Sequence, residues 1–388
     1  MVLPEMLEIL NVAVSDSALQ GMQEDKYRSF RYLLMVKSSE LRVLTYGLLT
    51  LSPAANAIVP RGVLTSVSSC IKYLHNDTDA HERGEILSIT RRFLKRISSS
   101  LAAARKAMPN ETLSEETAAL LTDYRSFSIT LYEFIRSELG AQVSYQRHIL
   151  SLHSLRYFID HVVDAEIYRN DVVLIRLLTS LVLDPFEDVR NTSASILKIL
   201  GMNAPSTLEE VIDDNLIASV SVLAVDTVRG DHAHGLGRLW ALYNTSHNSL
   251  FATSDAQNST SEGSKFTELL HQLRQALSET TTLGSCSRFP IHGSLLSLSF
   301  QLQDVKSQEA LISCTDLSTV LEVCITIWDM VRSILCIDSP ETAYEAEDDD
   351  GKEGPKDRLA YSWRALRDSR YAIPTFQEVF TDGASIVY

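Results

Sequence analysis

At 388 residues, with 45% hydrophobic and 22% charged side chains, the chain has the composition of a folded protein, which excludes wholesale disorder. The formal charge of -15 is uneven: residues 1–110 hold 14 basic against 10 acidic side chains, and the remainder 21 against 40. Nucleic acid can then be bound only through a local basic patch.

In chain order, the N-terminus MVLPEMLEILNVAVSDS carries Glu5 and Glu8 inside its apolar part, which makes it a poor signal peptide. Ser39–Ser52 reads as the second helix of a repeat, with Leu41, Leu44, Leu48 and Leu49 facing inward. Pro60 opens a further helix that ends at Asn76-Asp77, and Arg83–Ala107 is one long basic helix. More helices are predicted at Glu115–Leu139, Tyr145–Val163, Asn215–Val228, Lys265–Ser278, His292–Leu302 and Leu317–Leu335. Ser246–Ser264 reads as a Ser/Asn/Thr-rich surface loop.

Asp171–Leu200 is the most informative stretch. Val172, Val173, Ile175, Leu178, Leu181 and Val182 make one helical face, which stops at Asp184-Pro185 because proline cannot extend the hydrogen-bond ladder. Glu187 and Asp188 suit the start of the next helix, which runs through Val189, Ala194, Leu197, Ile199 and Leu200 to Gly201. Pro185, Asp188, Val189 and Arg190, with the small Ala194 four positions on, form the signature of a HEAT-type repeat. Arg190 is expected to be structural, reaching towards acids that start neighbouring repeats. One helix pair cannot bury its apolar face alone, so a stack is implied. The fold class is therefore all-α, a HEAT/armadillo-like α-solenoid: a superhelix of antiparallel helix pairs over residues 1–337. Residues 338–357, with seven acids within Glu341–Glu353, read as an acidic disordered linker, and 358–388 as the start of a further helical domain that is truncated.

Five cysteines (Cys70, Cys286, Cys314, Cys324, Cys336) show no CxxC and no metal-ligand spacing, which fits a reducing compartment. No run approaches the ~20 apolar residues of a membrane span. A cytoplasmic address without membrane contact is expected, the nucleus being the alternative. Phosphate-binding loops, GxSxG and HExxH are absent, so no catalytic, cofactor or metal residues are assigned and no stand-alone enzyme is expected. His232 and His234, with Asp231, could chelate a metal but read more simply as a solvated turn. His153 and His161 read as structural residues of an apolar helix.

The basic helix carries seven Lys/Arg between Arg83 and Lys106 against the single acid Glu85. Arg91 with Lys95, and Arg92 with Arg96, lie four apart and share one face, while Ile86, Ile89, Phe93, Leu94 and Ile97 form the apolar face. Two readings stand: an outer face that is solvated or paired with acids of the next helix, or a phosphate-contacting RNA ridge of Arg91, Arg92, Lys95 and Arg96.

Seven islands in order resemble the thyroid-adenoma-associated protein (THADA) family, which includes fungal regulators of tRNA ribose methylation. They are SELRVLTYGLL (Ser39–Leu49), ERGEILSITRRFLKRI (Glu82–Ile97), SYQRHILSLHSLRYFI (Ser144–Ile159), DPFEDVRNTSASIL (Asp184–Leu197), GDHAHGLGRLWALY (Gly230–Tyr243), FPIHGSLLSLSF (Phe289–Phe300) and RLAYSWRALRDSRYAI (Arg358–Ile373). Trp363 and Arg364 fall in the last, which is similar to the opening of the family's central domain. The chain departs from the family in being far shorter and in carrying His232 and His234 where a more acidic turn is expected. The resemblance implies a non-catalytic scaffold that partners a tRNA ribose 2'-O-methyltransferase acting at position 32 of the anticodon loop. It also implies contact with the tRNA anticodon arm and not with DNA, and S-adenosylmethionine held by the catalytic partner. The competing reading is a solenoid adaptor for protein cargo, of transport or tubulin-cofactor type, without an RNA role.

Overall fold

Several helix starts in this chain are written in short polar side chains that satisfy free backbone N–H groups. The Ser38 hydroxyl accepts from Leu41 N at 3.4 Å, and the Asp171 carboxylate from Leu174 N at 3.0 Å. Asp79 and Glu82 accept from each other's backbone N–H, at 2.7 and 2.9 Å, forming a reciprocal capping box. The computed structural model describes residues 23–106, 115–162, 164–227, 229–251, 265–283, 291–308, 314–335, 362–363 and 365. Among these it holds fourteen α-helices, one short 3₁₀ turn and no strand, so the chain is all-α. The acidic stretch 338–357, Arg364 and nearly all of 358–388 lie outside the described residues.

The chain divides after Asn170 into two compact units. In the first, α1 (Gln23–Met35), α3 (Arg61–Leu74) and α5 (Glu115–Ser137) pack in sequence as one layer. The second layer is α2 (Ser39–Thr50), α4 (Ala80–Lys106) and α6 (Tyr145–His161). This alternation is the layering of an α-solenoid. In the core, Phe93 of α4 meets Tyr46 of its own layer and Phe127 of the other edge-to-face, at 6.5 and 5.6 Å. Each such ring contributes about 1.5–3 kcal/mol by leaving water. Burial also raises the Tyr46 phenol to about 12. A polar knot lies in the same unit: buried His75, at the end of α3, stands 3.7 Å from Glu138, which also accepts from Arg147. Burial raises the Glu138 carboxyl, but the neighbouring His75 ring and the hydrogen bonds from Arg147 outweigh it and hold the pKa at about 2.

The second unit opens with the pair α7 (Val172–Leu181) and α8 (Glu187–Asn203), followed by α9 (Pro205–Val211), α10 (Asp214–Thr227) and α11 (Gly230–Phe251). It continues through α12 (Lys265–Leu283), α13 (Ile291–Gln308) and α14 (Cys314–Leu335). α8, α11 and α13 form one row, with α7, α9, α10 and α12 packed against it. α11 and α13 approach closely, and glycine makes this possible. A Cβ on Gly237 would stand 3.0 Å from Gly293 O, and one on Gly293 would stand 3.0 Å from Ala233 O.

One device recurs at the fourth position of three helices. Arg42 of α2 donates through Nη1 to Val36 O and Lys37 O at 3.0 and 2.9 Å. Arg83 of α4 donates to Thr78 O at 2.7 Å, and Arg190 of α8 to Asp184 O and Pro185 O at 2.6 and 2.8 Å. The acceptors always lie five or six residues back, in the turn before the helix. A guanidinium fork suits this, since it can bond two carbonyls at once.

Several expectations need correction. Arg190 bonds the carbonyls of its own turn, not the acids of the next pair. Burial lowers its pKa, and Asp231, at the start of α11, counters only through its field. Leu44 and Leu48 are exposed at 47% and 44%, while Arg42, Thr45, Tyr46 and Thr50 face inward. Thr45 and Thr50 can be buried because each hydroxyl donates to a carbonyl of its own helix, at 2.6 Å. Gly230–Gly235 begins a helix and is not a turn, and Ser246–Phe251 belongs to that same helix, the rest of the expected loop lying outside the described residues. His232 faces Thr227 at 2.8 Å, whereas His234 accepts from Arg190 Nε at 3.4 Å, so the two rings do not converge.

Candidate nucleic-acid interface

α4 positions the basic residues. Its inward stripe is the one expected: Ile86, Ile89, Phe93, Leu94 and Ile97 are all buried. With that face fixed, Arg91, Arg92 and Lys95 are turned outward and exposed. Arg91 lies over the Tyr157 ring of α6 at 5.6 Å, a cation–π distance, and Arg92 Nε donates to Ser88 O at 3.3 Å. No acid lies within ion-pair distance of these three among the described residues.

Arg96 stands apart from them. Its guanidinium donates to Thr50 O, Ala57 O and Ile58 O at 2.8, 2.9 and 2.9 Å, fastening the α2–α3 connection. Burial lowers its pKa, with Tyr124 acting the other way. The four side chains therefore do not share one environment: three are exposed and one is committed to backbone carbonyls.

Two residues outside the expected set join this surface. Tyr157 and His161 sit four apart on α6, hence on one stripe, both half-buried. Burial holds the His161 imidazole below its ordinary pKa; Asp160 opposes that, while Arg91 and Lys95 push the same way. His161 thus faces the basic helix. Nothing in the sequence signals this, since Arg91 and Tyr157 meet only through the packing of α4 on α6.

The repeat-motif residues lie elsewhere. Val189 and Arg190 are buried in α8, the Asp188 carboxylate accepts from Val189 N at 2.9 Å, and Trp363 is 61% exposed. Among the described residues no His, Cys, Asp and Glu side chains cluster as a metal site, and no helix is long and apolar enough to cross a membrane.

Comparison with known proteins follows the same direction. A family model described as Trm732, TPR repeats matches residues 3–191. Over 397 residues the chain is 20% identical to the tRNA (32-2'-O)-methyltransferase regulator trm732 of Schizosaccharomyces pombe, covering 94% of this chain and 26% of the relative. The chain thus spans about a quarter of that relative's length. No solved structure matches the chain.

Proposed function

We propose that the chain is a non-catalytic scaffold that helps a tRNA 2'-O-methyltransferase hold the anticodon arm of its substrate for modification at position 32. The catalytic partner would carry S-adenosylmethionine, and this chain would contribute shape and charge. The observation that carries the reading is the outward face of α4, where Arg91, Arg92 and Lys95 are exposed without acids in range among the described residues, in a protein similar to a tRNA methyltransferase regulator. Like charges so placed repel one another unless an anion compensates them, and RNA phosphates are spaced to do so. We assign the repeats to the HEAT/armadillo kind. The reading is supported by the Pro185, Asp188, Val189, Arg190 and Ala194 signature and by the 41 residues (83 minus 42) between the clamp arginines Arg42 and Arg83, although the next clamp, Arg190, lies 107 residues on (190 minus 83) and sets no common period.

The test is tRNA binding as a function of salt, with Arg91, Arg92 and Lys95 together reversed to Glu and Arg96 left in place. The triple variant should bind much more weakly, with a log–log salt slope flatter by about 2–3, one counterion per lost phosphate contact. Wild-type affinity and slope would remove the ridge from consideration. A protein-cargo adaptor is the second reading, favoured by Leu321, Ile325 and Trp328, which line one exposed face of α14. It requires that the wild-type chain bind no tRNA even at low salt.

A further inference from the structure

Beside the ridge, within the first unit, α4, α5, the end of α6 and the residues just after it border a half-open cavity of about 380 Å³. Packing in protein interiors leaves few voids larger than a water molecule, and this volume lies in the range that accepts small organic ligands. Its lining is divided in character. Leu94, Ile97, Tyr124 and Ser128 are its buried members, whereas Arg105 and Arg125 are exposed. Arg125 is neutralised by Asp164 at 3.2 Å; Arg105 has no acid in range among the described residues. The cavity thus joins an apolar, aromatic interior to a cationic edge. It suits a flat, weakly polar body attached to an anion.

The cavity also borders the basic helix itself, whose Leu94, Ile97 and Arg105 line it. His161 lines it and lies in the field of Arg91 and Lys95. One turn earlier on α6, Tyr157 carries Arg91 on its ring face. A strand whose phosphates lie along Arg91 and Lys95 would therefore run beside these two rings towards the cavity.

We propose that this cavity receives an unstacked nucleobase from a single-stranded RNA loop, with Tyr157 and His161 as the stacking platform at its edge and Arg105 beside the adjoining phosphate. The proposal rests on the ridge being an RNA contact, and adds a selectivity that phosphate contacts cannot supply. Phosphates are common to duplexes and loops, but only a loop presents a base free to leave the stack without a pairing cost. The cavity would make the scaffold a reader of loop structure. Nothing in its lining selects one base over another.

Two labelled RNA hairpins test this on the full chain: one intact, and one with abasic sugars throughout its loop, so that phosphates are kept and bases removed. The intact hairpin should bind at least about fivefold tighter, the lower end of what one stacked base contributes. Tyr157→Ala, at a half-buried position, should reduce that gap, and Ser128→Phe, which fills the cavity, should abolish it, each in protein shown by circular dichroism to be folded. Equal binding of the two hairpins by the wild-type chain would overturn the base site while leaving the ridge standing. So would a gap that survives both variants. Failure of both hairpins to bind at low salt would overturn the ridge as well.

Discussion

Arg42 and Arg190 occupy the same position in α2 and α8, are equally buried at 5% and 6%, and fork onto the two carbonyls five and six residues back. They differ in what surrounds that fork. Before α8, Pro185 fixes one backbone angle and the Asp184 carboxylate accepts from Phe186 N at 2.8 Å, so the turn is largely set by its own residues. Before α2 the turn Val36–Ser38 has no proline. There Arg42 makes a third bond, through Nη2 to Asn76 O at 2.6 Å, and so ties its own turn to the α3–α4 connection. The third contact of Arg190 is a longer one, 3.4 Å to the His234 ring. With burial equal, the comparison isolates the partners: the arginine matters most where local sequence has done least.

That difference sets an order of effects. Arg42→Ala should be the costliest change, about 3–5 kcal/mol, because three carbonyls lose a charged donor in a buried site. All three tryptophans (Trp240, Trp328, Trp363) lie in the second unit, so this loss is best read by hydrogen exchange across α2 and α3. Arg42→Lys should recover less than half of it, since an ammonium cannot fork as a guanidinium does. Arg190→Ala should cost less, about 2 kcal/mol, measured by urea unfolding followed through tryptophan fluorescence. An equal or greater loss at Arg190 would break the comparison.

Acid should separate the two units next. Burial lowers the His75 pKa below 6.5, with Glu138 opposing, so below that pH the unfolded chain takes up a proton that the folded one resists. Stability contributed by this knot is complete above about pH 6.5 and is lost as pH falls. Glu138, held at about 2 against an ordinary 4.5, adds a second loss between those values. Circular dichroism with residue-resolved exchange should show α3, α5 and α6 loosening before α7 and α8; simultaneous loosening would count against the knot. The smallest expected effect is Asp171→Ala, about 1 kcal/mol for a lost helix cap, seen in the same urea unfolding.

The same pair of turns shows how far the fold can be read from residue order. The α7–α8 turn announces itself through Pro185, Glu187, Asp188 and Arg190. Likewise the inward stripe of α4 follows from helical spacing, because its apolar residues are the ones buried. α2 misleads because its core-facing side chains include Arg42, Thr45 and Thr50, whose terminal guanidinium nitrogens and hydroxyls donate to backbone carbonyls, while two leucines are left outside. α11 misleads because Gly235 and Gly237, which look like turn residues, are needed where it packs closely on its neighbours. For the candidate interface, charge on α4 is evident from spacing alone. The commitment of Arg96 is not, since its acceptors are carbonyls of residues 50, 57 and 58, and no side-chain pattern encodes a carbonyl's direction. Tyr157, His161 and the cavity depend on how α4, α5 and α6 meet.

The clamps also bear on how such a protein is made. Each closes a loop of only five or six residues, among the fastest closures a chain can make, so it can form as soon as the first turn of its helix does. The elbow between two helices then has its angle before any later pair exists to pack against it. A ribosome delivers the N-terminal pairs first and at a slow, steady rate. With its elbows set in that order, the nascent chain presents each new pair with an already shaped surface, and the time during which an unpaired apolar stripe is open to aggregation shortens to the synthesis of about one repeat.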